Sequence, residues 1–275
     1  FDDEERGERG SWYQMWPVNQ AQTIEVPFTY ETKRSGIGDE RAHRQVWYRR
    51  SIEADAAQLS EGKHLWLHFE GSDFHTKVWV NGQYVGDHRG GYARFVKAKE
   101  NEIVVKVEDS FDPQQPRGKQ RWVKDSFGCW YVQTTGIWKT VWMEYVPEIY
   151  LNQVKMTPLL TDSSLELTYD VVLPEEQRDG SVEIEAEITF DGIQISRTRM
   201  AVLGRSVKTR ANVFHPALGG MEWGVREWTP EDPALYDIRF RVLVNGEETD
   251  CAGSYFAMRE IRIDGPNILL NGKVL

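Results

Sequence analysis

The sequence predicts an all-β protein built of two antiparallel β-sandwiches. Three observations carry that expectation. Apolar and polar residues alternate with period two through much of the chain. Asn-Gly and Asp-Gly pairs punctuate the alternating runs, and no amphipathic helix of ten or more residues stands out. Period two puts successive side chains on opposite faces of a sheet, so alternation marks strands with one buried face and one wet face.

The elements follow in order. Lys63 to Phe69 sets Leu65, Leu67 and Phe69 on one face. Lys77 to Val80 runs into Asn81-Gly82 and then Gln83-Tyr84-Val85, a hairpin signal because both central turn residues need positive φ. Asn101 to Glu108 places Ile103, Val105 and Val107 on one side. In the second half, Leu165, Leu167, Tyr169 and Val171 alternate with polar residues, as do Val182, Ile184, Ala186, Ile188 and Phe190. Asp191-Gly192 turns the chain into Ile193 and Ile195. Tyr236, Ile238, Phe240, Val242 and Val244 form a last long strand, closed by Asn245-Gly246. Glu183, Glu185 and Glu187 are expected on the wet face of their sheet.

The chain has 275 residues and a net charge of −10, an acidity that argues against a nucleic-acid partner. No run approaches the roughly 18 apolar residues of a membrane helix, so no helical membrane span is expected. Up to Val146 there are 20 basic and 22 acidic residues; after it, 13 and 21. Nine of the 11 tryptophans lie in the first part, and only Trp223 and Trp228 in the second. That asymmetry points to two domains with different jobs. The boundaries are expected after Val146 and near Phe256, giving domains 1–146 and 147–256 and a short piece, 257–275, that begins something larger. Phe1-Asp2-Asp3 has neither an initiator Met nor signal-peptide character, so the sequence assigns no compartment.

Hydrolytic chemistry needs a nucleophile or a pair of placed carboxylates. The sequence has no Gly-x-Ser-x-Gly elbow, no His-Glu-x-x-His and no Gly-rich phosphate loop. Its adjacent acids, such as Glu175-Glu176 and Glu231-Asp232, sit in polar turns and read as solvated loops. Cys129 and Cys251 cannot form a four-ligand zinc site alone, and His64 and His68 share a strand face without a third ligand, so neither a metal nor a cofactor is expected. The aromatic-rich stretches are Val46 to Arg50 and Arg121 to Trp142. Flat rings suit the C–H faces of sugars, and flanking Arg, Asp and Gln suit hydroxyls. For any single tryptophan, filling a sandwich core is the simpler role.

Read in order, these residues resemble the N-terminal part of glycoside hydrolase family 2, the β-galactosidase/β-glucuronidase/β-mannosidase group. The resemblance runs through Trp47-Tyr48-Arg49-Arg50, Val78-Trp79-Val80-Asn81-Gly82 and His88-Arg89-Gly90-Gly91-Tyr92 with Phe95. It continues through Pro116-Arg117-Gly118-Lys119-Gln120 and Thr135-Gly136-Ile137-Trp138 with Val141-Trp142 and Glu144. Trp228-Thr229-Pro230-Glu231-Asp232-Pro233 with Leu235-Tyr236, and Phe256, Arg259 and Leu270-Asn271-Gly272-Lys273, complete it. Each piece alone is weak; the ordered set, spanning nearly the whole chain, is specific.

The resemblance implies a galactose-binding-domain-like jelly-roll β-sandwich, then an immunoglobulin-like β-sandwich, then a TIM barrel of which this chain holds only the start. In the family that barrel carries both catalytic glutamates of a retaining mechanism, so no catalytic residue is expected here. Asn101-Glu102 imitates the family's acid pair but falls at the start of a first-domain strand and reads as structural. The implied partners are a carbohydrate substrate, the intramolecular barrel and, as in many members, further copies of the chain. The loops before Trp47 and before Gly136 lean toward the barrel mouth in the resemblance, which makes His43, Arg121, Asp125, Trp130 and Tyr131 the candidate substrate-binding residues. Some β-galactosidases hold a sugar hydroxyl with an Asp from the second loop. Here Gly128, Cys129, Trp130 and Tyr131 occupy the matching positions without an acid, and Asp125 is close but out of register, which counts against β-galactosidase specificity. Two other readings compete: a stand-alone carbohydrate-binding module or surface lectin, and an adhesive protein of immunoglobulin-like modules. The two halves do not repeat each other, which weighs against the last.

Overall fold

A computed structural model describes residues 1–91, 95–98, 102–177, 179–219 and 224–275. Tyr92, Asn101 and Trp223 lie outside the described residues. Among the described residues the only α-helices are two short ones, Arg6–Arg9 and Ala56–Ser60. The chain divides into two compact units, Phe1–Tyr145 and Val146–Leu275.

The first unit carries β1 Gln45–Ser51, β2 His64–Phe69, β3 Ser72–Asp73, β4 His75–Val80, β5 Gln83–Arg89, β6 Phe95–Ala98, β7 Glu102–Glu108, β8 Gly136–Ile137 and β9 Val141–Val146. A four-stranded sheet, ordered β1-β7-β4-β5, accompanies a three-stranded sheet, β6-β2-β9, and a short ribbon of β3 with β8. Tyr48, Leu67, Phe69, Val78, Val105 and Val107 form the core of this jelly-roll sandwich.

The outer face of the larger sheet departs from simple alternation. Val104 and Lys106, which alternation places toward solvent, are 1% and 2% exposed. The N-terminal segment covers them: Trp12, Tyr13 and Trp16 pack on Trp47, Trp79 and Val104. Lys106 is paired with Glu8 and, at 3.0 Å, with Glu108. Gly7 makes the close approach possible, because a Cβ there would come within 2.4 Å of the Trp47 ring. Asp2 fixes the first turn by accepting from the Arg6 and Gly7 amides at 2.8 and 2.7 Å.

The second unit carries β10 Tyr150–Leu159, β11 Ser164–Val172, β12 Val182–Phe190, β13 Ile193–Ala201, β14 Ser206–Asn212, β15 Tyr236–Val244, β16 Glu247–Phe256, β17 Ile261–Asp264, β18 Asn267–Leu270 and β19 Lys273–Val274. The sheets β10-β11-β14 and β13-β12-β15-β16 enclose one immunoglobulin-like core. Leu165, Leu167, Tyr169 and Val171 supply one side, and Ile184, Ile188, Ile238 and Phe240 the other, as the period-two pattern predicts. Four Asx-Gly pairs, at 81–82, 191–192, 245–246 and 271–272, have positive φ at both positions, from Asn81 (48°) and Gly82 (75°) to Asn271 (51°) and Gly272 (77°). β17-β18-β19 forms a separate meander on which Ile261, Ile263 and Ile268 remain exposed. Ile263 lies opposite Ile268, and Ile261 opposite Leu270, so these side chains share one face.

The expected wet glutamate face is corrected at one position. Glu185 is 3% exposed, held between Arg197 at 2.8 Å and Arg241 at 2.6 Å. Arginines on both neighbouring strands fold over it and exclude water. Arg197, Arg241 and burial act together on its carboxyl, and the net effect lowers its pKa. Glu185→Ala is expected to cost about 1–2 kcal/mol, a modest figure because both guanidiniums keep access to solvent. Urea unfolding measures it, and Glu185→Gln should recover part of the loss.

Candidate functional site

Between β7 and β8 the chain makes a long excursion without named strands. Backbone bonds pin its middle: Arg121 N donates to Tyr131 O at 2.7 Å, and Tyr131 N to Lys119 O at 2.8 Å. The tip is an aromatic knot in which Trp122 meets Trp130 edge-on at 4.3 Å and Phe127 at 5.2 Å.

Below the tip runs a buried polar network. Arg121, 7% exposed, donates from Nε to Gln133 Oε1 at 2.8 Å and from its guanidinium to the Glu40 carbonyl. Gln133 donates to Tyr30 Oη at 3.3 Å, and Tyr30 Oη accepts from the His43 amide at 3.1 Å. Arg117 reaches Asp109 at 3.3 Å, and the Thr135 hydroxyl donates to Asp109 Oδ2 at 2.7 Å. The Thr135 amide donates to Glu31 Oε1 at 2.9 Å. Burial pushes the Glu31 carboxyl up to about 7.

An open cleft of about 210 Å³ adjoins this network, lined by Asp73, Arg117, Lys119, Gln120, Tyr131 and Trp138 among others. Asp73 lies on β3, opposite Gly136 of β8. It is 4% exposed, and its Oδ2 accepts from Gln120 Nε2 at 2.8 Å. Gln120 Oε1 in turn accepts from the Thr134 amide at 2.8 Å, so the amide's orientation is fixed from both ends. Burial pushes the Asp73 carboxyl up to about 6; the Gln120 bond opposes the rise and the Asp109 charge adds to it. Gly91 must lack a side chain, since a Cβ would meet the Asp73 carboxyl at 2.7 Å, and its carbonyl accepts from Trp138 Nε1 at 2.7 Å.

The five expected site residues are therefore placed differently from one another. Tyr131, 64% exposed, lines the cleft. Trp130 is half-buried in the aromatic knot beside it, and Asp125 is exposed on the same loop. Arg121 lies inside the polar network that supports the loop. His43 is buried away from the cleft lining, between Asp3 at 2.8 Å and Asp39 at 3.2 Å and stacked on Phe1. The sequence reading did not single out Asp73, Gln120 or Trp138. Gln120 and Trp138 stood within quoted motifs; Asp73 carried no local signal, because a strand partner 63 residues later creates its setting.

A carboxyl, an amide, two cations and two aromatic edges around an open cleft are the groups that recognise polyhydroxylated ligands. They belong to the first of two successive β-sandwiches. The chain matches "Glycosyl hydrolases family 2, sugar binding domain" over residues 1–147 and "Glycosyl hydrolases family 2" over residues 149–259, and it belongs to glycoside hydrolase family 2. It is 24% identical to a β-galactosidase of Thermoanaerobacter pseudethanolicus, over 92% of this chain and 34% of that protein. It is 24% identical to a β-glucuronidase of Bacteroides fragilis, over 78% of this chain and 32% of that one. The solved β-glucuronidase of Ruminococcus gnavus with D-glucuronic acid superposes over 100% of this chain and 46% of its own, with TM-score 0.74 at 19% identity. The chain thus spans between about a quarter and a half of the length of such relatives.

Proposed function

We propose that the chain is the non-catalytic N-terminal part of a family 2 β-glycosidase, which as a whole hydrolyses terminal β-glycosidic bonds with retention. The jelly-roll unit supplies part of the pocket wall through the 117–138 segment, and the immunoglobulin-like unit positions the barrel. Residues 257–275 lead into that barrel, a role that suits the uncovered isoleucine face of the β17-β18-β19 meander. The observation that carries the proposal is the cleft itself: Asp73 is the one carboxyl among the residues that line it. A retaining mechanism needs two carboxyl groups about 5–5.5 Å apart. Tyr131, Trp138, Gln120 and Lys119 can hold a sugar but cannot break its bond. The test is release of 4-nitrophenol from aryl β-galactosides and β-glucuronides by the purified chain. No turnover is expected; sustained turnover abolished by Asp73→Asn would overturn the reading.

A second reading, a stand-alone carbohydrate-binding module, is favoured by the exposure of Tyr131 beside a fixed amide and carboxyl. Calorimetry against a glycan panel separates the two. Millimolar or tighter binding lost in Tyr131→Ala and Trp130→Ala would support the second.

A further inference from the structure

Three Asn-Gly turns close hairpins in this chain, at 81–82, 245–246 and 271–272. Their backbones are alike. The three asparagines have φ between 48° and 52°. Beside each hairpin runs a third strand, β7, β12 or β17. The carbonyl of a residue at or just before the start of that strand accepts from the asparagine backbone N–H: Glu102 from Asn81 at 2.9 Å, Ser181 from Asn245 at 2.8 Å and Glu260 from Asn271 at 2.9 Å.

The side chains differ. The Glu102 N–H returns a bond to Asn81 Oδ1 at 3.0 Å, and the Glu260 N–H to Asn271 Oδ1 at 2.9 Å. Asn271 Nδ2 also donates to the Trp228 carbonyl at 3.0 Å. At the remaining turn the matching donor is taken, because the Ser181 N–H donates to Asp179 Oδ1 at 2.9 Å. Asn245 is exposed, and its side-chain amide makes no hydrogen bond among the described residues. Packing adds to the contrast with the first turn. A Cβ on Gly82 would stand 2.9 Å from Gln14 Cγ, whereas nothing lies within 4 Å of one on Gly246.

An asparagine followed by glycine is open to a reaction that needs no enzyme. The glycine backbone nitrogen attacks the asparagine Cγ and loses its proton to solvent. A C–N bond forms, the Cγ–Nδ2 bond breaks, and Nδ2 leaves as ammonia. Water then opens the cyclic imide at either carbonyl, leaving aspartate or isoaspartate. Glycine permits the attack because no side chain stands beside its nitrogen. Cγ must swing onto that nitrogen, so a side chain tethered to another strand first gives up its bonds. Each ordinary hydrogen bond given up lowers the reactive population by up to about tenfold.

We propose that Asn245 is a site of spontaneous deamidation, selected over Asn81 and Asn271 because Asp179 withholds the Ser181 N–H that would otherwise hold its amide. The product places a carboxylate, or a backbone lengthened by one methylene, in a turn followed by Glu247 and Glu248. The assignment lies in the second unit and does not rest on the glycosidase reading. The test is incubation of the purified chain at pH 8, followed by trypsin digestion in mildly acidic buffer and mass spectrometry, with fragment ions assigning the site. Asn81, Asn245 and Asn271 fall in separate peptides, 78–89, 242–259 and 263–273. In the folded chain Asn245 is expected to convert at least about threefold faster than Asn81 and about tenfold faster than Asn271. In guanidinium chloride, which removes the tethers, the three rates should converge. Asp179→Ala, at an exposed turn position, releases the Ser181 N–H and should slow Asn245 several-fold with Asn81 and Asn271 unchanged. Equal rates at the three turns of the folded chain, an unchanged Asn245 rate in Asp179→Ala, or the same ranking in guanidinium chloride would each overturn the proposal.

Discussion

Gly136→Ala is expected to destabilise the first unit by about 4 kcal/mol, most of the stability of a domain at the low end of the usual range of about 5–15 kcal/mol. Two separate costs add. Gly136 has φ +104°, a conformation that side chains disfavour by about 1–2 kcal/mol. A Cβ there would also stand 2.0 Å from the Tyr48 hydroxyl, which is buried and accepts from the Ile137 amide at 3.4 Å. That overlap cannot be relieved by a flexible tip, because Tyr48 is a core ring, and overpacking of this kind costs about 1–3 kcal/mol. Urea unfolding followed by tryptophan fluorescence reads the first unit, where nine of the 11 tryptophans lie. Gly62→Ala is the control. Gly62, in the same unit, has φ +81° with nothing within 4 Å of a new Cβ, so it should show the conformational cost alone, about 1 kcal/mol. In a Tyr48→Phe background the steric part of the Gly136→Ala cost should shrink. Equal losses for the two glycines would show that the close approach to Tyr48 has no energetic weight.

Stability should also fall as pH rises from about 4.5 to about 7, because of Glu31. Burial raises its carboxyl from 4.5 to about 7, so the folded state holds a proton that the unfolded chain has released within this window. Stability then falls with rising pH, by about 3 kcal/mol at most across the window. The contribution is fully present below the unfolded value and fully lost above the folded one. Asp73, raised from 3.8 to about 6, adds a smaller decline at lower pH for the same reason. Glu31→Gln should flatten the upper part of the profile and be more stable than the parent at pH 8, since the amide oxygen still accepts from Thr135 without carrying charge. Thermal unfolding midpoints of both proteins from pH 5 to 8 supply the comparison. A constant difference between the two curves would assign the pH dependence to other groups.

Much of the fold was legible from local rules, and the exceptions share a cause. Alternation and Asx-Gly turns depend on neighbours one to four residues apart, so Leu165 to Val171 and the Asn245-Gly246 turn could be read directly. Val104 and Lys106 could not, since the segment that buries them lies about a hundred residues earlier. Glu185 could not either: its burial is made by Arg197 and Arg241 on two flanking strands. Within the Asp73 cleft, Tyr131 was foreseen from an aromatic run and a family resemblance. Asp73 was not, because its carboxyl is raised by burial, and the strand opposite it, β8, comes 63 residues later in the chain.

The covering of β7 by the N-terminal segment has a consequence for biosynthesis. Glu8 leaves the ribosome 98 residues ahead of Lys106, its partner. At typical elongation rates of about 5–20 residues per second, the Trp12-Tyr13-Trp16 cluster spends several seconds or more without the surface it is meant to meet. A nascent chain therefore presents this adhesive aromatic cluster before the sheet that it covers exists. Chaperones that scan emerging polypeptides would find a target there.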